Sequence, residues 1–187
     1  MPSFSLIHWR ADRRARLREL SDQASATSLL SPPKPSLEEE NIRGYLLLLS
    51  AHFQGFCRDI YAECTQVVVS TVGSQLRLTL QQQFTANLKL DRQNPNHETL
   101  KSDFNRFGFR LDLVGADPVN HARLQDLHAL NLWRNIAAHQ GTMPSGGLPT
   151  IPVVRAWEAS CDGLATTLDA ILYNRIRAIV PIAPWIP

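Results

Sequence analysis

The clearest pattern of hydrophobic positions lies between residues 36 and 72. Apolar side chains recur there at steps of three and four residues, at Ile42, Leu46, Leu49, Phe53, Phe56, Ile60, Cys64 and Val67. This period places them in a single stripe along an α-helix, and such a stripe faces a core. Ser36 followed by Glu39 matches a capping box, so we expect this helix to begin at Ser36.

A second stripe with the same period lies between residues 150 and 180. Its members are Val154, Trp157, Cys161, Leu164, Leu168, Ile171 and Ile179. We expect the helix to begin near Thr150, with Pro152 in its first turn, because proline fits that position. Pro181 and Pro184 are expected to end it.

A third long helix is predicted from Pro118 to about Gln140, with Asp117 as its N-cap. The glycine- and proline-rich residues 141–147 are expected to end it. Its large apolar residues point around most of the helix: Leu124, Leu127, Leu130, Leu132, Trp133 and Ile136. A helix that is apolar all round is buried on more than one side. We therefore expect this helix to contact both the core and a second subunit.

The rest of the chain predicts shorter helices separated by turns. The helices are expected over residues 8–26, 74–90 and 97–107, and the breaks at residues 31–35, 94–96 and 108–115. The sequence thus predicts an all-α fold, an up-and-down bundle of four to five long helices with residues 36–72 and 118–180 at its centre. Residues 1–35 are expected to be a basic N-terminal helix and a Pro-rich linker, and residues 36–187 a helical domain.

Composition agrees with one globular domain: the chain has 187 residues, of which 44% are hydrophobic and 19% charged. The net charge of +2 indicates no particular partner. Only three of the 19 Lys and Arg residues are Lys, which fits either RNA contact or a GC-rich genome. Arg10, Arg13 and Arg14 on the basic helix are weak candidates for RNA binding; a solvated helix face is the alternative.

The three cysteines, Cys57, Cys64 and Cys161, form no CxxC pair. We interpret them as reduced thiols of the core in a cytoplasmic protein and expect no metal site and no cofactor. No signal peptide is expected, because the N-terminus is polar and Arg-rich and no apolar stretch follows it. No membrane contact is expected, because the longest apolar run is far shorter than the ~18 residues that a membrane span needs.

The candidate for chemistry is the segment Arg134-Asn135-Ile136-Ala137-Ala138-His139. Histidine titrates near neutral pH and can move the proton of a ribose 2′-hydroxyl, while arginine can hold a phosphate. The same spacing occurs at Arg92/His97 and Arg123/His128. Only the third pair has an Asn beside the Arg, small residues before the His and a Gly-rich segment after it. Residues five apart on a helix diverge by about 140°, so a second subunit is expected to complete the site.

The R-N-x-x-A-H segment, late in a helical protein and before one last long helix, resembles the signature of the HEPN superfamily. The segment L-L-L-L-S-A-H-F-Q-G-F-C-R-D, which begins at residue 46, is similar to the opening helix of its bacterial RNase-like branch, which includes toxin, defence and RNA-repair-associated members. The resemblance covers residues 36–180 and implies a helical homodimer and a metal-independent endoribonuclease, a toxin or defence effector. It assigns Arg134, Asn135 and His139 to the site.

One departure concerns the position two residues after the histidine. The branch that is paired with nucleotidyltransferase antitoxins has Tyr there, and this chain has Gly141. Modification of a tyrosine in this motif is therefore not expected. An antitoxin or an RNA-repair enzyme remains an expected partner protein, and RNA the expected substrate.

Other interpretations of the same residues stay open. Asn135 and His139 could bond each other or cap the helix, and Arg134 could form a surface ion pair. His121 and His128 share a helical face with His139, and His128 is a weak candidate for RNA binding. A degenerate HEPN domain that only binds RNA or nucleotide, and a structural helical subunit, are the alternative functions.

Overall fold

The computed structural model describes residues 2–139, 147–180 and 182–185. Its helices are α1 (Phe4–His8), α2 (Arg14–Ser28), α3 (Pro35–Ser70), α4 (Ser74–Thr85), α5 (His97–Phe104), α6 (Leu113–Ala116), α7 (Asn120–His139) and α8 (Ile151–Ile179). A π-helical turn, Trp9–Arg13, joins α1 to α2, and 3₁₀ turns cover Lys89–Asp91 and Asn105–Phe107. The described residues contain no β-strand, which confirms the all-α prediction.

Contacts between α7 and α8 show that these two helices are antiparallel. Ser160 of α8 donates a hydrogen bond of 2.6 Å to Asp126 of α7. Arg123, three residues before Asp126 in α7, lies over Gly163, three residues after Ser160 in α8. The C-terminal end of α7 therefore lies beside the N-terminal end of α8.

Helix α2 runs antiparallel to α3. At the start of α2, Arg13 donates to the Asp59 carboxylate at 2.5 Å. At its end, Thr27 accepts a hydrogen bond of 2.8 Å from Asn41. The same helix is antiparallel to α8, because Arg14 contacts Glu158 while Ser21 contacts Arg155. The long helices therefore alternate in direction, as an up-and-down bundle requires.

The predicted stripes form the core. In α3 every predicted position is buried except Val67, which is partly buried, and in α8 the exceptions are Ile171 and Ile179. The three cysteines are free and buried, as predicted, and burial raises the pKa of each thiol. None of the described helices is long and apolar enough to pass through a membrane.

The N-terminal helices share this core with the rest of the chain. Trp9 and Leu17 are both fully buried against it. Beneath α2, the buried Glu158 carboxylate accepts hydrogen bonds from Arg14 Nε at 3.0 Å and from the Tyr45 hydroxyl at 2.7 Å. Burial and this carboxylate raise the pKa of Tyr45, so its hydroxyl remains protonated beside Glu158.

The predicted capping box at Ser36 is wrong. Helix α3 begins at Pro35, and the carbonyl of Lys34 accepts the first backbone hydrogen bonds, from Leu37 and Glu38, at 3.1 Å each. Proline already has the helical φ angle and needs no N–H partner at the first position. Ser36 therefore lies inside the helix, where its side chain cannot act as the N-cap.

The helix predicted over residues 74–90 ends earlier, at Thr85. Asn87 follows with a φ angle of 53°, in the left-handed region, which an α-helix cannot contain. Arg106 satisfies the carbonyls at this break, donating to Ala86 at 2.6 Å and to Asn87 at 3.0 Å. Asn87, a residue type that tolerates this conformation, and the distant Arg106 therefore both stabilise the end of α4.

Helix α7 begins at Asn120, two residues later than the predicted Pro118. Asp117 still makes the contacts of an N-cap: its carboxylate accepts from the backbone N–H of Val119 at 3.0 Å, and its carbonyl accepts from the N–H of Asn120 at 2.9 Å. The carboxylate also accepts from Arg123 at 2.7 Å. Within the stretch predicted to be irregular, Asp112 caps the short helix α6 through the Gly115 amide at 2.9 Å. Of the residues predicted to end α7, residues 141–146 lie outside the described part of the chain.

Candidate active site at the C-terminal end of α7

Helix α7 has one buried side and one exposed side. Leu127, Leu130 and Ala137 are buried against α3 and α8. The opposite side is an exposed stripe of mostly polar residues: His121, Gln125, His128, Leu132, Asn135 and His139. The predicted common face of the three histidines is therefore present, and it faces solvent.

Arg134 and Asn135 contact each other through their side chains. Arg134 Nη1 donates to Asn135 Oδ1 at 3.1 Å, and Asn94 Nδ2 donates to the same oxygen at 3.3 Å. Asn135 thus joins the arginine to the turn that precedes α5. Among the described residues, no carboxylate lies within 4.0 Å of the Arg134 guanidinium, so its charge is not used in an ion pair.

Side chains from two helices, α7 and α3, donate hydrogen bonds to the turn that contains Asn94 and to the residues just before it. From α7, Asn131 Nδ2 donates to the carbonyl of Pro95 at 2.8 Å. From α3, Gln54 Nε2 donates to the carbonyls of Leu90 at 2.9 Å and Gln93 at 3.0 Å. Side chains that are fixed by such neighbours keep a site in one geometry. Asn94 can therefore act as a support for Asn135.

His139 is the last residue of α7 and is exposed. It makes no hydrogen bond with Asn135, so the alternative in which these two side chains bond each other does not occur in this structure. Helical geometry places His139 about 140° around the axis from Arg134. The two side chains of one chain therefore do not converge on one substrate atom.

The other two Arg/His pairs of the same spacing lie in different surroundings. Arg123 donates to Asp117 at 2.7 Å and to Asn120 at 2.8 Å, so its guanidinium supports the start of α7. Arg92 lies after the turn at Lys89–Asp91 and donates to Asn87 at 3.2 Å. Neither arginine is bound to an asparagine of the exposed stripe, as Arg134 is.

A cleft of about 400 Å³ lies between α3 and the end of α7. Its lining residues are Glu40, Arg43, Gly44, Leu47 and Ala137. Arg43 Nε lies 3.8 Å from Glu40, whose side chain is 75% exposed, so this pair is weak. The cleft therefore places one cation and one carboxylate beside the last turn of α7, at Ala137.

Three arginines of the N-terminal segment, Arg10, Arg13 and Arg14, contact the bundle. Arg10 lies 3.4 Å from Asp162, Arg13 donates to the His52 carbonyl at 2.7 Å, and Arg14 lies 3.0 Å from both Glu158 and Asp162. These contacts bind α2 to α3 and α8. RNA contact by these residues stays a prediction that the structure leaves untested.

Two residues of this region were not predicted from the sequence, Asn94 and Asn131. Residues 94–96 were predicted as a turn, but nothing near Asn94 indicates that it contacts a residue 41 positions away. In the described part of the chain, no group of three or more His, Cys, Asp or Glu side chains is placed to hold a metal ion.

Comparison of the chain with protein-family models, with curated proteins and with solved structures gives no significant match. The resemblance to the HEPN superfamily therefore rests on the residues of the motif and stays a prediction.

Proposed function

We propose that this chain is a metal-independent endoribonuclease of the HEPN type, a toxin or defence effector that acts on RNA in the cytoplasm. The observation that supports the proposal is the hydrogen bonding of the Arg134 guanidinium. Within the described residues, an amide oxygen, that of Asn135, and not a carboxylate holds its guanidinium, in the same last turns of α7 that carry the exposed His139. A guanidinium held in this way keeps its full charge for a phosphate.

The reaction is attack of the ribose 2′-oxygen on the adjacent phosphorus. The bond from phosphorus to the 2′-oxygen forms, and the bond to the 5′-oxygen of the next nucleotide breaks. A histidine takes the proton of the 2′-hydroxyl, and a proton is given to the leaving 5′-oxygen. The products are a 2′,3′-cyclic phosphate and a 5′-hydroxyl. Arg134 binds the phosphate oxygens, whose negative charge grows in the transition state.

The site is formed across a two-fold axis in this proposal. Two α7 helices that pack antiparallel through their exposed stripes bring Arg134 of one subunit toward His139 of the other. Two His139 side chains then lie near each phosphate, so one accepts a proton while the other donates one. Leu132, which is 54% exposed on this stripe, supplies an apolar contact at the interface.

The test is cleavage of RNA in the presence of EDTA by the wild-type chain and two variants. His139→Ala is expected to lower the rate by about 10²–10⁴-fold, the usual value of acid–base catalysis. His128→Ala is the matched control, because it removes an exposed histidine of the same stripe that follows an arginine at the same spacing. Its rate is expected to change far less.

The alternatives give different results in this experiment. Equal losses in both variants would reject the role of His139. A wild-type chain that binds RNA without cutting it would support the degenerate, binding-only HEPN domain. If RNA is neither bound nor cut, the structural helical subunit is favoured.

A further inference from the structure

A cavity of about 470 Å³ lies at the other end of the bundle, between α6 and the C-terminal half of α8. Its lining includes Arg110, Asp112, Ala116, Ile171, Asn174 and Arg175. Because α7 and α8 are antiparallel, the helical rise places it roughly 30 Å from Arg134 along α8. It is therefore separate from the candidate active site.

Two arginines from different parts of the chain face this cavity. Arg110 comes from the segment before α6, and Arg175 from α8; both are exposed. Within the described residues, neither guanidinium has a carboxylate within 4.0 Å. With Asp112 the cavity lining holds two cations and one carboxylate, so its net positive charge favours an anion, and the planar fork of arginine fits a phosphate.

The rest of the cavity lining is suited to a ligand that has apolar and hydroxyl groups in addition to an anion. Ile171, Ala116 and Ala178 form an apolar surface, and Asn174 adds an amide. One oxygen of Asp112 caps α6 by accepting from the Gly115 amide at 2.9 Å, which leaves its second oxygen to accept from a ligand. The volume lies in the range of cavities that hold small molecules, about 300–1,000 Å³.

We infer that this cavity binds a ribonucleotide. The phosphate bridges Arg110 and Arg175, a ribose hydroxyl donates to Asp112, and the base lies on the apolar surface at Ile171. A free sugar or nucleoside would leave both guanidinium groups unpaired. Inorganic phosphate would leave the apolar surface and Asp112 without a contact. The inference does not depend on ribonuclease activity, because none of the proposed catalytic residues contributes to it.

The test is calorimetric titration of the full chain with adenosine monophosphate, adenosine and inorganic phosphate. Adenosine monophosphate is expected to bind at least tenfold more tightly than either of the other two. Arg110→Ala and Arg175→Ala are each expected to weaken its binding about tenfold or more, because each removes charge-assisted hydrogen bonds. Asp112→Asn retains a side chain that can cap α6. It is expected to weaken the binding of adenosine monophosphate but not the binding of inorganic phosphate.

Arg177→Ala is the matched control for Arg175→Ala. Arg177 is two residues further along α8, stacks over Tyr173 at 6.0 Å from the ring centroid, and does not line the cavity. Its removal is expected to leave nucleotide binding unchanged. Circular dichroism of each variant shows that the fold is retained.

Three results would overturn the inference. The first is no binding of adenosine monophosphate by the folded wild-type chain. The second is equal weakening by Arg177→Ala and Arg175→Ala, which would indicate only a general attraction by positive charge. The third is equal affinity for phosphate and nucleotide, which would leave a simple anion site.

Discussion

The Nδ2 atom of Asn94 donates a hydrogen bond of 3.3 Å to the Oδ1 atom of Asn135, across 41 residues of sequence. The same oxygen accepts from Arg134 at 3.1 Å, so one amide joins a loop to the proposed phosphate-binding arginine. In the proposed reaction Asn94 is a positioning residue, because it acts on Arg134 only through Asn135.

Asn94→Ala is expected to lower kcat while leaving KM for RNA nearly unchanged. One hydrogen bond contributes about 0.5–1.5 kcal/mol, so the rate is expected to fall about two- to tenfold. Single-turnover cleavage of an RNA oligonucleotide measures this. Gln93→Ala is the control, since only the backbone carbonyl of Gln93 makes a described contact with α3. Equal rates for Asn94→Ala and Gln93→Ala would contradict the positioning role.

The buried Glu158 predicts a large loss of stability on truncation. Its carboxylate accepts from Arg14 and Tyr45, so Glu158→Ala would leave the buried Tyr45 hydroxyl without this acceptor and the partly exposed Arg14 with Asp162 as its carboxylate partner. We expect the free energy of unfolding to fall by about 2 kcal/mol, typical of a buried polar group that loses its partner. Urea denaturation measures it.

Glu40→Ala is the control for this experiment. Glu40 is 75% exposed and 3.8 Å from Arg43, so its removal is expected to change the free energy of unfolding by less than about 0.5 kcal/mol. Equal losses in the two variants would show that Glu158 does not stabilise the fold through its buried contacts.

His52 predicts a loss of stability at acid pH. Its buried Nε2 atom has no hydrogen-bond partner within the described part of the chain, and burial together with the charges of Arg13 and Arg16 lowers its pKa below 6.5. The unfolded chain then takes up a proton more readily than the folded chain. The contribution of His52 to the free energy of unfolding is therefore full above pH 6.5, and it is lost as the pH falls through the lower pKa of the folded state.

The measurement is urea denaturation at about pH 8 and about pH 5, well above and below the ordinary histidine pKa. The wild type is expected to lose more stability between these values than His52→Gln, because the variant has no titrating ring at this position. His121→Gln, which replaces an exposed ring, is expected to behave as the wild type does. Identical losses in the wild type and His52→Gln would reject the role of His52.

The proposed dimer predicts that Leu132→Glu gives a monomer. A charged carboxylate would then be buried in the interface of each subunit in place of an apolar side chain, and a buried charge without a partner is costly. Light scattering after size-exclusion chromatography at micromolar concentration measures the mass. Leu76→Glu is the matched control, since Leu76 is 59% exposed on α4 and lies outside the proposed interface. A monomeric wild type would contradict the interface itself.

The buried faces of the long helices were predictable from the sequence, because apolar residues at a regular spacing together indicate one face of a helix. The core positions of α3 and α8 follow from steps of three and four residues. The start of α3 was predicted wrongly because Pro35 and Ser36 are both start signals, and local preference alone does not rank them. The arginine of the R-N-x-x-A-H segment could be identified as a candidate, but its chemistry stays a prediction.

Contacts between distant segments could not be predicted in this way. The stop after α4 depends on Arg106, about 20 residues further on, which binds the free carbonyls. The support of Asn135 by Asn94 and the convergence of Arg110 with Arg175 likewise depend on packing. A single sequence contains no periodic signal for such pairs.

The π-helical turn at Trp9–Arg13 has a consequence for chains of different length. A π-helical turn has the geometry of an α-helix that has accommodated one extra residue. Residues at its two ends keep separate registers: Trp9, the first residue of the turn, donates to Asp162 at 3.0 Å, and Arg14, the residue after the turn, donates to Glu158 at 3.0 Å. Deletion of Ala11 is therefore expected to close the turn into regular α-helix and preserve both contacts. A relative one residue shorter at this point would fold onto the same bundle, and an alignment should allow a single gap between Trp9 and Arg13.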